Sequence, residues 1–454
     1  MLKKIWERLK ADYTPKSVEI LRKGYSLALF KRDCISGLTV SIVSLPLAMA
    51  LAIASGLTPA QGLYTAIVAG FVIALMGGSR FQIGGPTGAF AIVVLEVLQS
   101  YGYNGLVASM ILTGILLIAA GFMKLGSYIK YIPYPVIIGF TAGIGLILIT
   151  SQVKDFLGLT RDDIPSAFLQ RWYIYIVSIP QTNWAAAFIG FLSLALYLGI
   201  KKFTPKIPVY LAILIVTTIV TYFFNLPVET IGSKYGDLPK MLPAPEFPKM
   251  SLDLFRLVFP SALTVAFLAA VESLLSAKVV DSMSGDVHNP NAELVGEGLA
   301  NITAAAFFGL PATGAIARTA TNYKANAYSP VSGMMQSVFL LCFMFCLSPL
   351  VKFIPLSSLA LILIMIGWNM LNLDKMLGLV KSLPGDRYTL LVTVILTVVV
   401  NLSAAIAVGF IMAAVIFMHR MSKEIELANM DKVLPDVDSE VAHDLHDKGI
   451  VVVR

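Results

Sequence analysis

Long apolar runs alternate along this chain with short breaks marked by polar residues, proline or glycine. They lie near 35–55, 60–77, 87–100, 105–123, 134–151, 184–200, 207–225, 257–281, 292–309, 314–327, 331–350, 354–371, 388–401 and 403–420. A helix needs ~20 apolar residues to cross ~30 Å of hydrocarbon. The pattern therefore predicts an all-α polytopic membrane protein of fourteen segments. Two stretches read as long connections: the polar 152–182, and 226–250 with Pro227, Pro239, Pro243, Pro245 and Pro248. The second divides the apolar part into two sets of seven, with expected units at 34–226 and 257–421 and a linker at 227–256.

The two sets resemble each other. Leu38-Thr39-Val40 recurs as Leu263-Thr264-Val265, and Thr87-Gly88-Ala89-Phe90-Ala91 as Thr313-Gly314-Ala315-Ile316-Ala317. Lys130-Tyr131-Ile132-Pro133 recurs as Lys352-Phe353-Ile354-Pro355. Three matches in order and at nearly constant offset argue for an internal duplication. Seven is odd, so the second unit enters the membrane in the opposite sense. Inverted repeats of this kind build secondary transporters.

The third segment of each unit is broken. Gly84-Gly85-Pro86 interrupts the first, and the helix from Thr87 is expected to end near Ser100, before Tyr101-Gly102-Tyr103-Asn104-Gly105. In the second, Pro311 precedes a run from Gly314 to about Ala327, with Pro330 beyond it. Both runs are too short to span. Broken backbone at membrane depth is tolerated only where protein buries it or it lines a cavity. The start of each half-helix carries unpaired N–H groups and the positive end of the dipole. Two such ends meeting near the midplane form an anion site. A proline at a helix start is in itself only a first-turn signal; the matched pair is what points to a site.

Composition narrows the class. Hydrophobic residues make up 57% of 454 and charged residues 13%, where soluble domains carry about 25% charged. Mean hydropathy is +0.80. A soluble enzyme, a nucleic-acid-binding module, a disordered chain and a secreted disulfide scaffold are all excluded. The net charge of +7 is explained by its placement. Lys3, Lys4, Arg8, Lys10, Lys16, Arg22, Lys23, Lys31 and Arg32 precede the first span, opposed by Glu7, Asp12, Glu19 and Asp33. That excess holds an N-terminal segment, 1–33, in the cytoplasm. Arg420 and Lys423 place the other end there too, and both termini inside require an even number of spans. The polar start predicts no cleavable leader. Cys34, Cys342 and Cys346 form no framework; Cys342 and Cys346, four apart, read as small core residues. No phosphate loop, metal cluster or nucleophile elbow is present, so neither an enzyme nor an ATP-driven pump is expected, and no cofactor.

Charges inside the spans carry the candidate chemistry. Arg318 falls four residues into the second half-helix, where an arginine adds full charge to the dipole. Glu272 lies midway along its segment, with Ser276 on the same face at i+4. A lone carboxylate there is a candidate proton carrier or cation ligand; the alternative is a fixed structural pair with Arg318. The repeat aligns Glu272 with Leu47. Glu96 is left unassigned, while Glu293, Glu297, Lys278 and Asp281 read as lying near interfaces without special roles.

The chain resembles the SulP anion permeases over about 30–430. The matching stretches are Asp33 through Gly37-Leu38-Thr39 with Pro46, then Gly56-Leu57, Gly62-Leu63-Tyr64 and Pro86-Thr87-Gly88. Further on come Glu293-Leu294-Val295-Gly296 with Gly298 and Asn301, then Gly314-Ala315, Arg318-Thr319-Ala320 and Asn322. The resemblance implies a seven-plus-seven inverted repeat with core and gate domains, a homodimer and an elevator-like motion. It places the anion at Thr87, Gly88, Ala89 and Phe90 and at Gly314, Ala315, Ile316, Ala317 and Arg318. It also assigns Glu272 to proton or sodium coupling. Where many members carry glutamine after the proline of the first helix, this chain has Leu47. In the sodium-coupled bicarbonate branch a hydroxyl residue aligns with Ile316 and no arginine with Arg318, so proton symport or exchange is better supported here than sodium symport. Members usually end in a cytoplasmic STAS domain; 422–454, with Gly449-Ile450-Val451-Val452-Val453 reading as a first strand, looks like a truncated remnant of one. The expected activity is secondary transport of a small anion such as sulfate, bicarbonate, chloride or a dicarboxylate. An anion channel on the same fold and a nucleobase transporter are the other readings, and Arg318 favours a charged anion over a nucleobase.

Overall fold

The computed structural model describes residues 13–418 apart from 132, 162–164, 166–167, 205–206, 249, 383, 401–403, 406–407, 410 and 417. The expected remnant at 422–454, much of the last segment and the first twelve residues lie outside the described residues.

A short helix, α1 (Lys16–Arg22), precedes α2 (Leu27–Ala54) and α3 (Pro59–Met76). A two-residue strand, β1 (Gly84–Gly85), leads into α4 (Gly88–Phe122). Then come α5 (Tyr134–Leu157), α6 (Phe168–Ser178), α7 (Trp184–Phe203), α8 (Val209–Phe223) and α9 (Ile231–Tyr235). The second half runs α10 (Leu252–Ser284), α11 (Pro290–Ala306), β2 (Thr313–Gly314), α12 (Ile316–Lys324), α13 (Val331–Val351), α14 (Leu356–Leu371), α15 (Leu373–Val380) and α16 (Pro384–Val399). Among the described residues, eight helical stretches are long and apolar enough to cross a membrane. The remaining expected spans fall on shorter helices or on the partly described last segment.

Several boundaries move. The first span starts at Leu27, capped by the Ser26 hydroxyl, so Lys31, Arg32 and Asp33 ride on the helix instead of preceding it. Asp33 is fully buried there and accepts hydrogen bonds from the Tyr328 and Ser329 N–H groups and from the hydroxyls of Ser329 and Tyr25. The expected third and fourth segments are one helix broken at Gly102 (φ 66°, ψ −173°). The second half-helix is shorter than expected. It begins at Ile316, because Thr313 and Gly314 remain extended to pair with the first break, and ends at Lys324, before the left-handed Asn326 (φ 71°). At ~1.5 Å per residue its nine residues reach only about 14 Å. The polar 152–182 is not a bare connection: α6 lies within it and exposes Leu169, Tyr173 and Ile176. Cys342 and Cys346 are exposed on the flank of α13 and are not core residues.

The helices pack as two bundles. In the first, α4 packs against α10 and α11, α3 against α11 and α13, and α2 against α3 and α13. In the second, α5 packs against α14 and α16, and α14 against α7. Phe90, Val94, Met110 and Leu294 belong to the apolar interior of the first bundle.

The two chain breaks cross inside that bundle. β1 and β2 pair antiparallel, Gly84 opposite Gly314 and Gly85 opposite Thr313. Two asparagines tie the flanks. Asn301 accepts from the Ala312 N–H and donates to its carbonyl, both at 2.9 Å. Asn322 donates to the Phe81 carbonyl and to Ser332, and accepts from Ser36 at 2.7 Å. Gly314 faces Gln82, whose amide donates to the Ser273 carbonyl and hydroxyl. A Cβ at Gly314 would lie 1.8 Å from Gln82 Nε2. Gly314→Ala is therefore expected to displace Gln82 and to destabilise the protein by about 1–3 kcal/mol. A lower thermal midpoint of the purified protein in detergent is the check, and an unchanged midpoint would mean that the crossing has room to spare.

Candidate functional site: two helix ends at a strand crossing

The extended backbone at each break hands over to a helix, so the two helix starts sit beside the crossing. Thr87 precedes α4 and Ala315 precedes α12, both in extended conformation, and neither caps its helix with a side chain. The first-turn N–H groups of Gly88, Ala89, Ile316 and Ala317 thus have no side-chain acceptor at the cap. Most other long helices here that start on Ser or Asn are capped by it: Ser26, Asn183, Ser251 and Asn289 all accept first-turn N–H groups. The Thr87 hydroxyl is turned away from the cap. It donates to Glu272 Oε2 at 2.8 Å.

The expected site residues divide into three groups. Thr87, Gly88, Ala89 and Phe90 are buried at the start of α4. Gly88 presses on the second bundle, and a Cβ there would come within 3.0 Å of Met370 Sδ and 3.5 Å of Ile366 and Leu148. Ile316 and Ala317, the first residues of α12, are exposed, whereas Gly314 and Ala315 are buried in and just after the strand. Gly314 meets Gln82 and Ser273, so it forms the wall of the crossing.

Arg318 is the third residue of its helix, because the helix starts two residues later than expected, and it is only 3% exposed. Its Nη2 donates to the Pro86 carbonyl, and its Nη1 is buried with no hydrogen-bond partner. Nη1 occupies the space that a side chain at Gly85 (φ +149°) would take, 2.7 Å from an ideal Cβ. The guanidinium therefore lies across the break before α4. Among the described ion pairs none joins Glu272 to Arg318, since the carboxylate is held by Thr87 and the guanidinium by Pro86. The fixed structural pair is not made. Ser276, one turn on from Glu272, is fully buried and donates to Thr319 Oγ1 at 3.1 Å, and that oxygen also accepts from the Ile83 N–H.

Two acids read as interfacial are buried. Glu293 and Glu297 are both 0% exposed. Glu293 accepts from the Gly78 and Ser79 N–H groups at 2.7 and 2.8 Å, satisfying the chain where α3 ends. Both carboxylate oxygens of Glu297 lack a hydrogen-bond partner. Their position near a segment start suggested an interface, and only the packing of α11 between α3 and α4 shows otherwise. Gln82 was not singled out at all; its place two residues before Gly84 was the one available signal. Among the described residues no cluster of three or more His, Cys, Asp or Glu could hold a metal ion.

Two helices starting beside an antiparallel crossing of interrupted chain, with an arginine of one reaching the break before the other, is a membrane-transporter arrangement. The sequence profile of the Sulfate permease family matches residues 30–395. The chain belongs to that family. Its members are transporters, not enzymes. YvdB of Bacillus subtilis, assigned provisionally to sulfate transport, is 41% identical over 410 residues, 90% of this chain and 77% of that protein. The transmembrane domain of a cyanobacterial bicarbonate transporter, BicA, superposes with a TM-score of 0.73 at 26% identity, covering 84% of this chain and 98% of that one. The murine solute carrier 26 family member A9 shares the fold at a TM-score of 0.80 and 20% identity, over 89% of this chain and 71% of that one.

Thr87→Val keeps the side-chain shape and removes the donor to Glu272. It is expected to lower stability by about 1–3 kcal/mol, the usual consequence of stranding a buried acceptor. A thermal midpoint equal to that of the wild type would show that this bond contributes nothing.

Proposed function

We propose that this chain is a secondary carrier of small inorganic anions, sulfate foremost, holding the anion between the starts of α4 and α12. The observation that carries the reading is the pair of uncapped helix starts beside a buried arginine with a free Nη1. Helix N-termini supply oriented N–H donors and partial positive charge to an oxyanion. A guanidinium adds a full charge and paired donors. Thr87, Gly88, Ala89 and Phe90 form one side of the site, and Ile316, Ala317 and Arg318 the other, with Gly314 and Ala315 behind them.

The relatives support the substrate class, one assigned provisionally to sulfate and one named for bicarbonate. Two repeats of opposite sense, 34–226 and 257–421, joined through 227–256, would let the first bundle move as a core against the second as a gate. Both termini lie in the cytoplasm of a cell-membrane homodimer in this reading. Glu272 couples transport to protons, because it sits on the site through Thr87 and is free of any fixed pair. Sodium coupling is disfavoured: Ile316 offers no side-chain oxygen.

The test is uptake into proteoliposomes of labelled sulfate, bicarbonate, chloride and succinate, with and without a pH gradient. Saturable sulfate uptake, accelerated by external acid, is expected; unsaturable flux would indicate a channel. Arg318→Ala should weaken sulfate binding by about 30-fold or more, the consequence of removing a buried charge partner at ~2–5 kcal/mol. Wild-type affinity in a folded Arg318→Ala protein would make the arginine structural. Glu272→Gln should keep sulfate counterflow and lose its response to the pH gradient. Uptake by the wild type that ignores both proton and sodium gradients would remove Glu272 from any coupling role.

A further inference from the structure

The seam between the two bundles is not filled along its whole length. α8 packs against α7 and α14 of the second bundle and against α2 of the first. Between α8, α2 and the end of α13 lies a groove of about 580 Å³. That is within the ~300–1,000 Å³ typical of ligand pockets. Pro46 of α2, Leu350 and Phe353 at the end of α13, and Ile215, Thr218 and Tyr222 of α8 line it. Of its fifteen lining residues only Thr218 and Tyr222 carry a polar side-chain atom. Ile215, Tyr222 and Leu350 are exposed, so the groove opens on the outer flank of the helices. In a membrane protein that flank is bathed by acyl chains.

Polar groups at one end of the groove select more than a stretch of hydrocarbon. Tyr222, Phe223 and Phe224 are all exposed where α8 ends, and the Phe353 ring meets that of Tyr222 edge-on at a centroid distance of 5.4 Å. Exposed aromatic residues of this kind gather at headgroup level. A cation stands at the same level: Lys352 Nζ lies 5.5 Å from the centre of the Phe353 ring. Its carboxylate partner, Asp237 at 3.5 Å, is largely exposed, and an ion pair of that kind holds weakly. A phosphate is a stronger, charge-assisted partner for the same ammonium. Deeper in the groove is Thr218. The neighbouring Thr217 donates to the Ile213 carbonyl at 2.7 Å, whereas Thr218 Oγ1 is shielded from solvent and has no hydrogen-bond partner. A shielded hydroxyl in that state is unfavourable until an acceptor arrives. Thr218 stands five residues before the end of α8, about 7 Å at ~1.5 Å per residue. The headgroup layer is itself about 5–7 Å deep. The ester carbonyls of a phospholipid whose phosphate meets Lys352 therefore come level with Thr218.

We propose that this groove is a binding site for one phospholipid, with an acyl chain in the seam between α2, α8 and α13, an ester carbonyl accepting from Thr218, and the phosphate on Lys352. The lipid touches the first bundle through α2 and α13 and the second through α8, so it ties the two in the disposition seen here. Such a site needs only a chain embedded in lipid, whatever anion is carried.

The full chain is purified in detergent and stripped of lipid. Its thermal midpoint is then measured with added phosphatidylglycerol, or with diacylglycerol of the same acyl chains as the arm without phosphate. A ligand that binds only the folded state raises the midpoint. Phosphatidylglycerol should raise that of the wild type by at least about 2 °C, and diacylglycerol by less. Ile215→Trp fills the groove and should lose both responses. Val216→Trp, on the same helix but outside the groove, should keep them. Thr218→Phe fills the same space one turn away and takes the place of Ile215→Trp if that protein does not fold. Lys352→Ala should bring the response to phosphatidylglycerol down to that of diacylglycerol. Native mass spectrometry is a second readout: one retained phospholipid per protomer is expected in the wild type and Val216→Trp, and none in Ile215→Trp. A wild type that responds to neither lipid, or responds equally to both, overturns the proposal. So does a response that survives in Ile215→Trp or is lost equally in Val216→Trp. A second copy of the chain covering the groove would show as a smaller oligomer in Ile215→Trp with no lipid response in the wild type, and would overturn it too.

Discussion

The structure depends on one constraint: a chain that leaves the helical conformation inside a membrane protein must still satisfy its N–H and C=O groups. Here the chain does so twice, and the two breaks satisfy each other by pairing as β1 and β2. Two residues per strand leave the flanks unpaired, and the nearby polar side chains are explained by that shortfall. Asn301 takes both groups of Ala312, Asn322 takes the Phe81 carbonyl, and Thr319 takes the Ile83 N–H. Arg318 takes the carbonyl of Pro86, the residue whose own ring removes an N–H. Once the breaks are satisfied sideways, the helix starts need no capping side chains. In the proposed carrier their donors would be left for the anion.

Much of this was legible in the sequence, and the part that was not has a physical reason. Gly84-Gly85-Pro86 and Pro311 announce interrupted helices, and Arg318 and Glu272 stand out because charge is rare in apolar runs. The pairing of the breaks was not legible: four residues, Gly84, Gly85, Thr313 and Gly314, carry no strand periodicity, and their register depends on two remote stretches meeting. That is why α12 was expected to start at Gly314 and not at Ile316. Glu293 and Glu297 were misread for another reason. A segment buried on all sides has no polar face, so position along the run was the only cue, and a carboxylate near its start looks interfacial. Cys342 and Cys346 failed in the opposite direction, since an outward face in lipid is as apolar as a core.

The two bundles differ in how they are held. The first is cross-linked by side-chain hydrogen bonds over long sequence distances: Thr87 to Glu272, Gln82 to Ser273, Ser276 to Thr319, Ser36 to Asn322 and Thr113 to the Ala262 carbonyl. Each buried polar group fixes its partner's place, because leaving it unpaired costs about 1–3 kcal/mol. Where the first bundle meets the second at Gly88, the contacts are with Met370, Ile366 and Leu148. These are apolar and non-directional, and methionine adapts readily to a changed surface. A rigid polar-stapled body against a smooth apolar one can be displaced without stranding hydrogen bonds. In the proposed carrier the site would travel with the stapled body, since every group assigned to it, from Thr87 to Arg318, belongs to that bundle.

Charge sets the last condition. With Glu272 ionised and Arg318 charged, the empty site is balanced, although the two do not touch. A bound dianion would leave it strongly negative unless a proton arrives on Glu272. That proton would cut the net charge from −2 to −1, so the site would face the apolar wall of Met370, Ile366 and Leu148 at lower electrostatic cost, since net charge moved against low-dielectric surroundings is penalised. Proton and anion would thus favour each other's presence without any contact between them beyond Thr87, whose hydroxyl links Glu272 to the start of α4. Coupling in such a site follows from charge compensation within one rigid body, and the carboxylate needs to lie near the anion, not against it.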